Sequence, residues 1–534
     1  MHKILYCLLT AILGLAGVSS LTSCYDDKGN YNYIDLDEVV IDTTGCGIQS
    51  AYSVGRYDHL TLEPNILLNG QRVNDDESAP LDYMWTLYTA AMTTSGTLVL
   101  DTLGFAPALD ADITTVAGTY RLQLTVTQRD TGVQTYLQLS CQVEESITAG
   151  WMLLYERADQ PGTSDVGLVV NTLVKKNITA AQEREFWNLY SASNQEPIAG
   201  TPVRIFRMVN DMGGGTDPVT CLTTEDLVNV NNATFEKTAD FADFFYAAPA
   251  VKAPIWYGTS GRSARRCFLI NDNAVYTVNY MYTTGGGNYL GNALTADFGE
   301  LAAWGSDVSN SCEAVVFDQT NGRFYHLVQY TSQITPFEAQ SPTAGFDVNN
   351  VNATIQASDW GRSDGNAGSA YDYLLMRNGN NRYLAIANFN GNAADTNVGI
   401  GWHDITNSPG IQDATSITAA FLGEYVLYGS GNKVYNLQYN SSPIATEAWT
   451  APSAEEEVTC VRLQKFYYSV MMLAGILPNP NTVVHIATWN ESTREGKLYQ
   501  YTIDPATGAI SGEPRIYTVP GKVGDMNWKY VMEM

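Results

Sequence analysis

The strongest constraint on the fold is a strand–turn–strand unit that recurs through most of the chain. It is plain in CFLINDNAVYTVNY from Cys267, AVVFDQTNGRFYHLVQY from Ala314, YLLMRNGNNRYLAIANFN from Tyr373, YVLYGSGNKVYNLQYN from Tyr425 and VVHIATWNESTREGKLYQYTID from Val483. Each unit is a short apolar run, a turn of Asn, Asp or Gly, and a second run with alternating aromatics, the pattern of a β-hairpin. GWMLLYERADQPGTSDVGLVV from Gly150 and VRIFRMVNDMGGGTDPVTCL from Val203 extend the series with longer turns. Starts spaced by about 50 to 60 residues suit four-stranded propeller blades with long loops. Seven such units fit between Ala149 and Met534, which predicts a seven-bladed β-propeller, with the final GDMNWKYVMEM joining the last blade to the first. An eight-bladed ring or a pair of sandwiches fits the same pattern, because blade-edge strands are weakly marked. TAAQEREFWNLYSA from Thr179 departs from it: Thr179 with Gln182 makes a capping-box start and predicts a helix between strands.

Residues 33–145 follow a different grammar. Asp82-Tyr83-Met84-Trp85-Thr86-Leu87 predicts a strand with a central Trp, and AGTYRLQLTVTQRDTGVQTYLQLSCQV predicts a closing hairpin in which Tyr120, Leu122, Leu124 and Val126 alternate with polar residues. A Trp on an inner strand and a Tyr opening a late strand are the core and corner residues of an immunoglobulin-like sandwich. The whole chain is therefore expected to be all-β, a sandwich followed by a propeller. The predicted divisions are a leader over 1–23, a tether over 24–32, the sandwich over 33–145 and the propeller over 146–534.

The first residues decide where such a chain resides. A basic start through Lys3, an apolar run over Ile4–Val18 and the small residues before Cys24 make a secretory leader, too short for a membrane-spanning helix. Leu21-Thr22-Ser23-Cys24 resembles the bacterial lipobox, which implies cleavage before Cys24 and acylation of its thiol. Each buried methylene of an acyl chain contributes about 0.8 kcal/mol, so two or three chains anchor firmly. Tyr25-Asp26-Asp27 is similar to the acidic export signal of Gram-negative surface lipoproteins, which implies that Asp26 and Asp27 direct the protein to the outer face of the outer membrane.

The formal charge of -27, from 29 basic against 56 acidic residues, repels phosphate backbones and anionic headgroups and excludes nucleic acid as an expected partner. Beyond the leader and Cys24 the cysteines are Cys46, Cys141, Cys221, Cys267, Cys312 and Cys460, with no CxxC pair. Only His59, His326, His403 and His485 follow the leader, so a zinc site has little support and neither metal nor cofactor is expected. Cys46 and Cys141, near the two ends of the first domain, are candidates to pair. Several of the others fall in apolar strands and are expected to be small buried hydrophobes.

Catalytic patterns fail on context. Gly361-Arg362-Ser363-Asp364-Gly365 matches GxSxG, but that chemistry needs a strand entering and a helix leaving, whereas the flanks here are expected to be loop. Asp359 with Asp364, or Asp372 with Asp404, would serve glycoside hydrolysis only at an enforced separation. Asp110 and Asp112 form an Asp-x-Asp pair that alone is weak support for calcium. The aromatics are more informative, since nine of ten tryptophans lie beyond residue 150. Trp256-Tyr257, Trp360 beside Arg362, and Trp402 beside His403 fall in Gly- or Asn-rich segments and are the candidate ligand-binding residues, with indoles stacking on sugar rings and Arg362 holding hydroxyl or carboxylate groups. Met281–Asn292, with Gly285 to Gly287, is expected to be a loop near one face.

The lipobox with Tyr-Asp-Asp-Lys-Gly-Asn-Tyr, the Gly118-Thr119-Tyr120 strand start and the Gly-Trp-Met-Leu-Leu-Tyr strand that opens the repeats together resemble the PKD-like family lipoproteins, along essentially the whole chain. The acidic Gly-Asp-Gly turn usual after the Trp strand of a PKD domain is absent, which marks a divergent member. The resemblance implies a place beside SusC/SusD-like nutrient importers and brings no catalytic residues. The expected function is a non-catalytic surface lipoprotein that captures or presents a polymeric nutrient, a glycan above all, to such an importer. An accessory subunit that binds the importer itself is the alternative, and a propeller hydrolase or lyase is the third reading.

Overall fold

A computed structural model describes residues 37–530 except 90–99, 145–146, 208–217, 261–266, 279–288, 310, 329–330, 332, 363–369, 391–393, 441 and 466–476. Cys24, Asp26, Asp27, the Gly285 to Gly287 loop, and Ser363 and Asp364 lie outside the described residues. The chain divides into two compact units, Met1–Glu144 and Glu145–Met534.

The first unit is a sandwich. Its main sheet holds Leu81–Thr89, Gly118–Gln128 and Gln134–Glu144, flanked by Leu100–Gly104 and by the parallel strand Ala51–Gly55. Against it lie a three-stranded sheet built on Val39–Asp42 and the pair His59–Leu62 with Leu109–Asp112. Alternation along Gly118–Gln128 sends Tyr120, Leu122, Leu124 and Val126 into the core beside the fully buried Trp85. The Tyr120 hydroxyl donates to the Val116 carbonyl at 2.8 Å, tying the strand to the preceding corner as in immunoglobulin-like domains. Gly118 fits closely there, since a Cβ would stand 3.1 Å from that hydroxyl. Cys46 and Cys141, the candidates to pair, are both free thiols. Cys141 points into the core opposite Tyr120, whereas the Cys46 thiol sits in a turn, 3.2 Å from the Asn65 amide.

The second unit is a seven-bladed propeller. Blade 1 runs outward from Gly521–Tyr530 through Ala149–Arg157 and Thr163–Val170 to Arg184–Phe186, so the last strand of the chain is the innermost strand of the first blade. The inner strands of blades 2 to 7 are Pro202–Arg207, Pro254–Thr259, Leu301–Gly305, Thr354–Gly361, Ser416–Ala419 and Glu456–Leu463. Each opens its own sheet by pairing with the first strand of the following hairpin.

The middle strands read as unbroken apolar runs because both their faces are covered. Cys312–Asp318 is buried at every residue, and clusters such as Trp304, Phe317 and Phe324 with Leu374 and Met376 bridge one blade to the next. Segment 179–192 is not one helix. The capping box of Thr179 and Gln182 forms as expected, but it opens only a 3-10 turn over Ala180–Gln182. Arg184–Phe186 then extends the blade edge, and a short helix follows at Leu189–Asn194. Pairing with the blade edge wins over continued local helix.

Candidate functional site

The inner strands line a cavity of about 270 Å³ on the propeller axis, and the blades contribute side chains to it that lie far apart in sequence. Trp256 and Trp360 line this one cavity. Trp360, expected in a loop without a core to enter, is instead on the inner strand of blade 5 and half-buried, 6.0 Å from Phe421 edge to face. The segment lacks an apolar alternation because an inner strand faces a polar channel rather than a second sheet. Gly361 ends it where a Cβ would stand 2.7 Å from the Ala419 Cβ, so the neighbouring blade comes close.

The other candidate residues go elsewhere. Tyr257 is core, 2% exposed, between Phe206 and Phe244, and burial pushes its hydroxyl well above the usual tyrosine range. Trp402 sits on the outermost strand of blade 5, packed between Phe346 and Tyr383. Arg362 lies just past the inner strand, 3.8 Å from Glu424, and does not line the cavity with Trp360. A site composed of Tyr257, Arg362 and Trp402 with the two indoles is therefore not assembled.

Charged residues in the inner strands and just beyond them complete the cavity; of these, sequence reading singled out only Asp359 and Asp372. Arg204 binds Asp307 in blade 4, donates to the Tyr257 carbonyl at 2.8 Å, and holds its guanidinium 4.1 Å from the Trp256 ring centroid. Arg462 pairs with Asp525 at 2.8 Å, and the other Asp525 oxygen accepts from the Ile205 amide at 3.0 Å. Burial works against the charge of Arg462, but Cys460, Asp525 and Asp359 outweigh it and hold the guanidinium protonated. Lys465 binds Asp359 and the Trp360 carbonyl, donates to the Ala419 carbonyl at 2.7 Å, and sits 4.6 Å from the Trp360 ring centroid.

Asp359 also accepts from Thr418 at 2.7 Å and from the Ala419 amide at 2.9 Å, so its carboxylate is committed to holding blades together. The signal available in sequence was a charge interrupting the short apolar strand before a hairpin, as in Val203-Arg204-Ile205-Phe206 or Gly524-Asp525-Met526.

Of the candidate catalytic pairs, Asp359 with Asp364 reaches outside the described residues, and Asp372 with Asp404 does not form. Asp372 accepts from Ser306 at 2.6 Å beside the channel, whereas Asp404 is exposed at the opposite end of the outermost strand and caps Thr406. Asp110 and Asp112 clamp His59 at 2.6 and 2.8 Å. Among the described residues no group of three or more His, Cys, Asp or Glu is placed to hold a metal ion.

Residues 24–202 match the model of the PKD-like family, a stretch that includes the sandwich and the first strands of the propeller. No curated protein matches the chain. Among solved structures, the chain is similar to a quinonprotein alcohol dehydrogenase-like protein from Bacteroides thetaiotaomicron, at 10% identity and a TM-score of 0.47 over 93% of this chain and 100% of that one. It is also similar to the β-propeller domain of Cps50 (Swd1) from Myceliophteria thermophila, at 12% identity and a TM-score of 0.35 over 61% of this chain and 88% of that one. Sqt1 from Saccharomyces cerevisiae aligns at 10% identity and a TM-score of 0.38 over 72% and 89%. At such identities these likenesses say nothing about activity.

Proposed function

We propose that this protein is a non-catalytic, lipid-anchored receptor of the outer-membrane surface, whose propeller channel captures a glycan for a SusC/SusD-like importer. The observation that carries the reading is the placing of Trp256 and Trp360 on one polar cavity, fed by seven inner strands. Aromatic surfaces next to fixed polar groups are the usual furniture of a saccharide site. The commitment of Asp359 to three donors and the separation of Asp372 from Asp404 favour binding over hydrolysis. The lipobox and acidic start support the location, and among the described residues no helix is long and apolar enough to cross a membrane.

Two experiments test it. Calorimetry of the purified chain against a panel of oligosaccharides should find binding without turnover, and binding should weaken in Trp256→Ala. Steady hydrolysis of any panel member would replace the receptor by an enzyme. For location, Cys24→Ala should release the protein from the membrane fraction, and Asp26→Ala with Asp27→Ala should keep it anchored but lower its labelling on intact cells. A Cys24→Ala chain that stays with membranes after a high-salt wash removes the lipid anchor from the proposal.

The accessory reading draws on one feature. Tyr246 and Tyr289 are 62% and 42% exposed with ring centroids 5.1 Å apart, an aromatic pair free to meet another protein.

A further inference from the structure

Resting on the receptor reading of the channel, we infer that the ligand it takes is an uncharged, hydroxyl-bearing saccharide unit and not an acidic or amino sugar. Three cations line the cavity, and each is already bound to a carboxylate: Arg204 to Asp307, Arg462 to Asp525 and Lys465 to Asp359. Asp372 adds a fourth carboxylate, held by Ser306, so the lining carries four acids against three bases, an excess of one negative charge. An anionic ligand would have to break a pair to find a partner, in a protein of formal charge -27. A cationic ligand would have to displace a guanidinium or ammonium from Asp307, Asp359 or Asp525, or the Ser306 hydroxyl from Asp372.

Two neutral polar groups of the lining are left without partners. The Trp256 indole N–H and the Gln356 side-chain carbonyl are both buried and make no hydrogen bond, although the Gln356 amide donates to the Ala414 carbonyl at 2.7 Å. Burying an unmade donor or acceptor is costly, so the channel wall holds two unspent hydrogen-bonding groups. Both are shielded where they stand, so reaching a ligand requires their side chains to rotate. One is a donor and the other an acceptor, which is the complement of a sugar hydroxyl, itself donor and acceptor. The cavity is slightly below the roughly 300–1,000 Å³ of pockets for drug-sized ligands, which limits the bound portion to about one or two sugar rings. A polymer would enter by its end.

The test is calorimetry and thermal shift on the full mature chain with glucose, galactose, mannose, N-acetylglucosamine and their disaccharides, beside glucuronate, galacturonate, N-acetylneuraminate, glucosamine and a neutral tripeptide amide. Trp256→Phe keeps the ring and removes the donor, and Gln356→Leu removes the acceptor. At least one neutral saccharide should bind, and each variant should weaken it by about three- to tenfold, the effect of one hydrogen bond, with no loss of melting temperature in the absence of sugar. Preferential binding of an acidic sugar, of glucosamine or of the peptide, weakened by the same variants, overturns the neutral-saccharide inference and leaves the channel receptor standing. Saccharide binding that both variants leave unchanged puts the site elsewhere and overturns the inference. Binding of no panel member overturns the receptor reading together with it.

Discussion

His485 shows how one side chain is fixed by its surroundings. It is fully buried between blades 7 and 1, with Nε2 donating to Gln464 at 3.0 Å, Nδ1 accepting from Gln500 at 3.1 Å, and Trp151 stacked at 3.5 Å. This network satisfies the neutral tautomer and has no place for a second ring proton, and burial lowers the pKa well below the usual histidine value. Burial also lowers His326 and His403. The unfolded chain takes up these protons below about pH 6.5 while the native propeller resists them, so stability is lost as pH falls from there, by up to about 1.4 kcal/mol per pH unit for each histidine. Urea midpoints between pH 7 and 5 should show that slope, and His485→Gln should flatten it; an unchanged slope would mean that His485 titrates alike in both states. His59 acts in the other direction. Its hydrogen bonds to Asp112 and Asp110 raise its pKa, so its contribution is present below the unfolded histidine pKa and is lost as pH rises through the raised native value. Lys465 and Asp359 are 4% and 9% exposed, and Lys465→Met leaves a buried carboxylate without its cation, at a cost of about 3 kcal/mol in denaturant unfolding. Adding Asp359→Leu should recover part of the loss.

Among elements, the closing strand Gly521–Tyr530 has the most consequence, because it joins the two ends of the propeller sequence in one sheet. Gly521 begins it opposite Arg157, where a Cβ would run into the Glu156 carbonyl and stand 2.7 Å from the Tyr155 ring. Gly521→Ala should therefore cost about 1–3 kcal/mol, measured as a lower melting temperature of the propeller, whereas Gly431→Ala in an open turn should act only through its positive φ. A Gly521→Ala protein as stable as the parent would show that the strand shifts freely. The same reasoning explains why the Thr179 segment is hard to read. Its capping box is local and legible, but the strand that follows exists only because Thr163–Val170 offers an edge to pair with.

For the whole molecule, the sandwich is complete by Glu144, whereas blade 1 is completed only by the closing strand Gly521–Tyr530. The family match over 24–202 stops just inside blade 2, so a fragment of that span holds the outer three strands of blade 1 without the inner strand that comes from the end of the chain. Such a fragment should show amide protection through Glu144 and none beyond, while 37–144 should fold with the same protected core. Protection extending past residue 150 in the fragment would mean that the outer strands of blade 1 stand without closure. Deleting 521–534 from the full chain should remove the cooperative unfolding of the propeller and spare the sandwich.

Hairpins and the sandwich core were legible because each is written in neighbouring residues, whereas seven blades could be favoured over eight but not fixed, since blade-edge strands are weakly marked. Alternation at Tyr120, Leu122, Leu124 and Val126, continuous apolar runs such as Ala314-Val315-Val316-Phe317, and turns of Asn and Gly state their own structure. Ring closure by Gly521–Tyr530 was legible for a related reason, since a leftover strand must find an edge. The site belongs to tertiary structure. Trp256 and Trp360, Arg204 and Asp307, or Arg462 and Asp525 meet only because seven strands from separate units converge on one axis. Which tryptophan enters the channel and which packs at a blade edge, as Trp402 does, depends on strand order within the sheet, a quantity that local composition does not carry.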